Sequence, residues 1–256
     1  MKIAIIGAGN IGGAIASGLM QSKFSGSFEI TVSDRDKVKT AALAGAYPGL
    51  KVTDDNQKAI AGADLVILAV KPWLVEPILT ALNFDGGQIL ASVAAGIKFD
   101  QLCEYLPKPL AMFRIIPNTA ISKRASMSII ASKGATKEQE QLLLDIFNEL
   151  GMAMLVPEQQ MEAGTALASC GIAYVLKYIH AATEAGVEMG LYPHDAMMMV
   201  AQSVKGAAEL ILAGDTHPAL EIDKVTTPGG ITIKGLNTLD HEGFPSAVIK
   251  AMKASR

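Results

Sequence analysis

A short apolar strand, Ile3 to Ile6, runs directly into Gly7-Ala8-Gly9-Asn10-Ile11-Gly12 and then into a small-residue helical pattern at Ala14, Ile15, Gly18 and Leu19. Strand, glycine turn and helix start in that order place a dinucleotide pyrophosphate on a helix N-terminus. Gly7 permits the tight turn, Gly9 carries no Cβ to block the phosphates, and Gly12 lets the helix lie close against the strand. The alternative is a glycine-rich turn in an α/β sheet that binds nothing; the strand before and the helix after favour the coenzyme.

Further strand candidates follow at Phe28 to Val32, Lys51 to Thr53, Leu65 to Val70, Gln88 to Val93, Ala111 to Ile116, Met127 to Ala131 and Ala153 to Val156. Helical stretches reach about Ala46 and cover Lys137 to Leu150. Strands alternating with helices predict an α/β fold over residues 1–157, a Rossmann-type doubly wound and largely parallel sheet. Beyond Pro157 the strand signal fades, and long helices are expected over Glu158 to Met189, Pro193 to Leu212 and from about Thr232 onward. Their Ala- and Met-rich faces exceed what a small domain buries alone, so residues 158–256 are predicted to form an all-α dimerisation domain.

Composition excludes several other classes. The formal net charge of -3 gives no electrostatic case for nucleic acid or an anionic membrane. The glycines argue against reading the apolar start as a signal peptide, and no other stretch has the 18 or so uninterrupted apolar residues of a membrane span. Cys103 and Cys170, the 2 cysteines, make no disulfide framework and no metal-ligand spacing, so a reduced cytoplasmic setting is the default. His180, His194, His217 and His241 are dispersed, and no Ser or Cys stands beside them in a nucleophile pattern. With no metal site or hydrolytic triad predicted, redox chemistry carried by a coenzyme remains.

The end of the second strand normally reads the adenosine ribose, and Asp34 stands about 20 residues past the glycines, as expected for that role. An acid there favours the free 2′-hydroxyl of NAD, whereas Arg35 beside it can pair with the 2′-phosphate of NADP. The two signals conflict, and either residue could instead be a solvated turn residue. Lys71 follows a buried strand and precedes a proline, at the carboxyl edge of the sheet where coenzymes bind. A second glycine segment, Thr226-Thr227-Pro228-Gly229-Gly230-Ile231-Thr232, leads into a helix and offers backbone N–H groups suited to a small carboxylate. A plain turn with a threonine helix cap is the alternative there.

Gly-Ala-Gly-Asn-Ile-Gly-Gly, Asp55-Asn56, Ala69-Val70-Lys71-Pro72, Ala94-Ala95-Gly96, Arg114-Ile-Ile-Pro117-Asn118-Thr119 and Thr227-Pro228-Gly229-Gly230-Ile-Thr232-Ile-Lys-Gly235-Leu236 occur in this order. Together they resemble the pyrroline-5-carboxylate reductase family across essentially the whole chain. The resemblance implies a reductase that moves a hydride from NADPH, or from NAD in its reduced form, to the C=N carbon of 1-pyrroline-5-carboxylate and yields L-proline. It assigns coenzyme contacts to Ile6, Gly7, Ala8, Gly9, Asn10, Ile11 and Gly12, to Ser33, Asp34, Arg35 and Asn56, to Ala69, Val70, Lys71 and Pro72, and to Ala94 and Ala95. Gly230, Ile231 and Thr232 would hold the substrate carboxylate, the Thr232 hydroxyl would reach the ring nitrogen as the catalytic group, and Glu158 matches a substrate-side position. The implied assembly is a homodimer or a larger homo-oligomer.

One segment departs from the family pattern. Where Ser-Gly-Ser-Gly-Pro-Ala-Tyr is usual, this chain has Ala168-Ser169-Cys170-Gly171-Ile172-Ala173-Tyr174, and loss of the proline predicts a straighter helix. Two alternatives stay open: a related reductase of another imine or hydroxyacid, against which the Pro-Gly-Gly-x-Thr segment speaks, and a non-catalytic dinucleotide-binding protein.

Overall fold

Apolar runs that are hydrophobic on both sides become interior strands, because each of their faces must be covered. In the computed structural model, which describes residues 1–214 and 216–256, the chain divides into two units, Met1–Ser169 and Cys170–Arg256. The first contains β1 (Lys2–Ile6), α1 (Asn10–Met20), β2 (Glu29–Ser33), α2 (Lys37–Ala46), β3 (Lys51–Thr53), α3 (Asn56–Ile60), β4 (Leu65–Leu68), α4 (Val75–Leu79), β5 (Ile89–Ser92), α5 (Phe99–Tyr105), β6 (Ala111–Ile116), β7 (Ser126–Lys133), α6 (Lys137–Asn148), β8 (Gly151–Leu155) and α7 (Met161–Gly164).

The strands form one sheet in the order β3-β2-β1-β4-β5-β6-β7-β8. All neighbours are parallel except β6 and β7, which pair antiparallel with Arg114 opposite Ala131. The reversal follows from chain length: the link through residues 117–125 is shorter than the dozen or so residues that a parallel crossover needs. Successive residues of β1 serve opposite faces, Ile3 and Ile5 packing with Ile15, Leu19 and Phe147, and Ala4 and Ile6 with Ile60, Val75 and Leu102. This is the doubly wound sheet expected for the first part of the chain.

The helical run expected from Glu158 to Met189 is not one helix. A 3-10 turn at Glu158–Gln160 leads into α7, a π-helical segment over Thr165–Cys170 and then α8 (Gly171–Glu188). The π-helical segment lies where the chain departs from the family pattern, and side chains bond main-chain carbonyls there. Asn118 donates its Nδ2 to the Ala168 carbonyl at 3.0 Å, and Thr165 donates its hydroxyl to the Met161 carbonyl at 2.6 Å. Met161 and Ala166 are buried, so the first unit continues past Pro157 to Ser169.

The second unit consists of α8, α9 (Pro193–Gly214), α10 (Pro218–Lys224), α11 (Ile231–His241) and α12 (Phe244–Ala254). The last helical stretch, expected as one element, is broken at Gly243, whose φ of 77° ends α11 and starts α12. Gly186 of α8 allows close approach to α9: a Cβ there would lie 2.8 Å from the Ala196 Cβ. Tyr174 of α8 shares a hydrogen bond with the Ser255 hydroxyl just beyond α12.

Candidate active site

Because β1 lies between β2 and β4, the chain leaves it on both sides, and the crevice at such a switch point is where open α/β sheets bind ligands. The glycine loop sits at its carboxyl end. Gly7 has φ of 106° and donates its N–H to the Ser33 carbonyl at 2.7 Å, and a side chain there would collide with the Ala69 carbonyl. A Cβ on Gly12 would collide with the Gly7 carbonyl and lie 2.9 Å from the Ala69 Cβ, so helix and strand touch through a hydrogen.

Gly9 differs. It caps α1 with extended backbone, φ -68° and ψ -173°, and no heavy atom stands within 4 Å of where its Cβ would be. Fold packing requires Gly7 and Gly12, whereas Gly9 faces open space at a helix N-terminus, a cradle that fits a pyrophosphate. Around it Ile6 and Ala8 are buried, Ile11 is half-buried and Asn10 is exposed.

At the end of β2 the structure pairs candidates with one another, Asp34 with Ala8 and Ser33 with Asn56. The Asp34 carboxylate accepts from the Ala8 N–H at 2.7 Å and from the Asp36 N–H at 2.9 Å. Ser33 is buried and its hydroxyl bonds the Asn56 side-chain oxygen, while Arg35 is exposed. Asn56 gets its place from the Asp55 side chain, which accepts from the Lys58 N–H at 3.1 Å and so starts α3. Asp36 starts α2 in the same way, and the Lys39 ammonium bonded to it holds its carboxyl below the usual range.

On the other side of the switch point, β4 ends at Leu68 and Ala69 donates to the Ile6 carbonyl at 2.8 Å. Val70 is half-buried, and the exposed Lys71 caps a 3-10 turn that begins at Pro72. Beyond β5, Ala94 is buried and Ala95 is exposed.

Glu158 is tied to the sheet. One of its carboxylate oxygens accepts from the Arg114 guanidinium at 2.6 Å and from the Phe99 N–H at 2.9 Å, and Arg114 lies against the Phe99 ring at 5.9 Å. Arg114 stands in a motif that carries the family resemblance, where it had no role assigned, although a charge within the apolar run Ala111 to Ile116 is a visible signal. A buried guanidinium needs a fixed anion.

In the second unit, Pro228 and Gly229 turn the chain between α10 and α11, with the Gly230 N–H donating to the Thr227 carbonyl at 2.9 Å and Gly229 at φ of 72°. Gly230 caps α11, which puts Ile231 and Thr232 in its first turn, both exposed. The N–H groups of a first turn have no intrahelical acceptor and suit a carboxylate.

A Rossmann sheet with a glycine cradle at its switch point, joined to a helical unit, defines the class of NAD(P)-dependent oxidoreductases, and residues 2–96 match the family described as "NADP oxidoreductase coenzyme F420-dependent". Residues 158–256 match the family described as "Pyrroline-5-carboxylate reductase dimerisation". Pyrroline-5-carboxylate reductase 2 of Dictyostelium discoideum is 36% identical over 99% of this chain and 90% of its own length. Pyrroline-5-carboxylate reductase 1 of the same organism is also 36% identical over 99% of this chain, which spans 48% of that longer protein. Among solved structures, 1-pyrroline-5-carboxylate reductase from Streptococcus pyogenes superposes with a TM-score of 0.87 at 30% identity, covering 100% of this chain and 96% of the other. Plasmodium falciparum pyrroline carboxylate reductase with NADP bound gives 0.84 at 26% identity, covering 100% and 95%. The chain belongs to the pyrroline-5-carboxylate reductase family.

Proposed function

We propose that the chain reduces the C=N bond of 1-pyrroline-5-carboxylate to L-proline, the last step of proline biosynthesis, with NADPH as preferred coenzyme and NADH as the lesser one. The observation that carries this is the open cradle at Gly9, at the switch point of a chain whose relatives bear that activity in their names. When bound, the dihydronicotinamide supplies the hydride to the imine carbon.

The protein's part is positioning and electrostatics. Backbone N–H groups at the start of α1 hold the pyrophosphate; Ser33, Arg35 and Asn56 take the 2′-phosphate; Ala69 to Pro72, Ala94 and Ala95 line the rest of the coenzyme. The first turn of α11, Gly230 to Thr232, takes the substrate carboxylate, and the Thr232 hydroxyl sits at the ring nitrogen as its charge changes. Glu158, fixed by Arg114, stands on the substrate side. Water delivers the proton.

Residues 1–157 and 158–256 are the functional divisions in this proposal, supported by the family match that begins at 158. An intertwined homodimer, itself open to further assembly, and a soluble cytoplasmic setting complete it, the latter supported by cysteines that are both free.

Thr232 provides the test. A hydroxyl that contributes more in the transition state than in the ground state lowers kcat when removed, so Thr232→Ala is expected to lose about 10²-fold in kcat with a smaller change in KM. Thr232→Ser is expected to keep most activity. Equal rates for the two variants with pyrroline-5-carboxylate would remove Thr232 from the mechanism, and wild-type coenzyme binding without turnover would favour a non-catalytic dinucleotide-binding protein.

A further inference from the structure

Asp34 and Arg35 give opposite signals in the sequence, and the geometry around Asp34 separates them. A carboxylate that reads a ribose offers its oxygens to hydroxyls of the coenzyme. Here each oxygen already accepts from the main chain, Oδ2 from Ala8 in the glycine loop at 2.7 Å and Oδ1 from Asp36 at 2.9 Å. Asp34's own N–H donates to the Thr53 carbonyl at 3.2 Å, which ties the end of β2 to β3. Asp36 in turn accepts from the Val38 and Lys39 N–H groups at 3.1 and 3.4 Å and starts α2. One half-buried carboxylate thus joins the glycine loop, the end of β2 and the N-cap of α2.

We infer that Asp34 is a positioning residue: it fixes the glycine loop for either coenzyme and does not discriminate between them, which leaves preference for the 2′-phosphate to Arg35 together with Ser33 and Asn56. Bonds from backbone N–H groups to a carboxylate are among the stronger hydrogen bonds in proteins, and two of them share this carboxylate's charge. The exposed Arg35 guanidinium, next in the chain, carries a full charge and a fork of donors suited to a phosphate. This inference rests on the coenzyme reading proposed above.

Asp34→Asn replaces one acceptor oxygen by a donor, which then confronts a backbone N–H. In the full-length protein, fluorescence titration is expected to show Kd for NADPH and NADH rising together, by about tenfold, the loss expected for one charge-assisted bond. Arg35→Ala is expected to weaken NADPH alone.

A loss confined to NADH in Asp34→Asn, a gain for NADPH, or no change in either would overturn the inference, as would an equal loss of both coenzymes in Arg35→Ala. Hydrogen exchange in the coenzyme-free wild type gives a second measurement should Asp34→Asn fail to fold: protection of the Ala8 amide supports the latch, and exchange at the free-peptide rate sinks it. Failure of the wild type to bind either coenzyme would refute the proposed function, while Ala8 exchange would still decide the latch.

Discussion

Gly7, Gly9 and Gly12 are alike on the page of a sequence, and the structure divides them by what a side chain would meet. Gly9→Val meets nothing within 4 Å and keeps an accessible φ of -68°, so the fold should survive. Its branched side chain would then stand in the proposed pyrophosphate site, at a cost of about 1–3 kcal/mol, roughly 5- to 150-fold in Kd for NADPH by titration. Gly12→Ala, by contrast, forces the Gly7 carbonyl away and is expected to lower the melting temperature by several degrees, about 2–4 °C for each kcal/mol lost. Equal stability of the two variants would mean that the loop yields and the glycines are interchangeable. The motif's identity was thus legible from residue types, but the division of labour within it was not. The same holds for Asp34, whose acceptor role depends on the Ala8 amide, and for Glu158, whose partner Arg114 lies on a distant strand.

Elements with strong apolar runs stand within a residue or two of where their pattern puts them, because burial on both faces leaves little choice of period. What the pattern could not supply depended on partners from elsewhere in the chain, such as Asn118 diverting the Ala168 carbonyl and producing the π-helical segment. The end of α6 is another such place. Glu149 puts a negative charge at a helix C-terminus and is only 8% exposed, an unfavourable setting on both counts. Lys23 compensates with its ammonium at 2.7 Å and its N–H at 3.2 Å, and Arg124, in the left-handed region at φ of 56°, adds its guanidinium at 3.3 Å. The bond from Lys23 outweighs desolvation and holds the Glu149 carboxyl below the usual range. A depressed folded pKa gives stability that is complete above the unfolded value of about 4.3 and is lost as pH falls through the folded one. Glu149→Gln should therefore cost stability at pH 7, about 1 kcal/mol because Lys23 and Arg124 are 70% and 42% exposed and screened by solvent. The gap between the melting temperatures of wild type and variant should close as pH falls below the unfolded value of about 4.3. A gap independent of pH would show that the carboxylate's charge is not what holds the corner.

At the scale of the molecule, the texture of the sequence changes after Pro157, and the compact units of the structure divide after Ser169. Residues 158–169 look helical like those after them, yet they pack with the sheet. The second unit poses a harder physical question. Its described residues that are buried are Gly171, Gly186 and Ala196, whereas Leu176, Met198, Leu210, Leu212 and Ile231 are each more than half exposed. Five helices with so little interior cannot offset the entropy of ordering them, so these faces require another apolar surface. Among the described residues α9 is the one helix long and apolar enough to cross a membrane. It nevertheless carries Lys205 and Glu209 as an exposed ion pair at 3.7 Å, which a lipid-facing helix would not readily bear. A second copy of the chain would cover the same surface without that cost, in keeping with the dimerisation family that residues 158–256 match. Light scattering on the purified protein at micromolar concentration is expected to give at least twice the mass of one chain. Replacing Met198 and Leu210 together by lysine should be tolerated if those faces meet water, where surface changes move stability by about 0.5 kcal/mol or less. In a dimer that seats them at its core, the same pair places unpaired charges in an apolar interface at several kcal/mol each, and the variant should fall to single chains or melt well below the wild type. A wild-type protein that is monomeric and active, with a double variant of unchanged stability, would show that these helices stand alone.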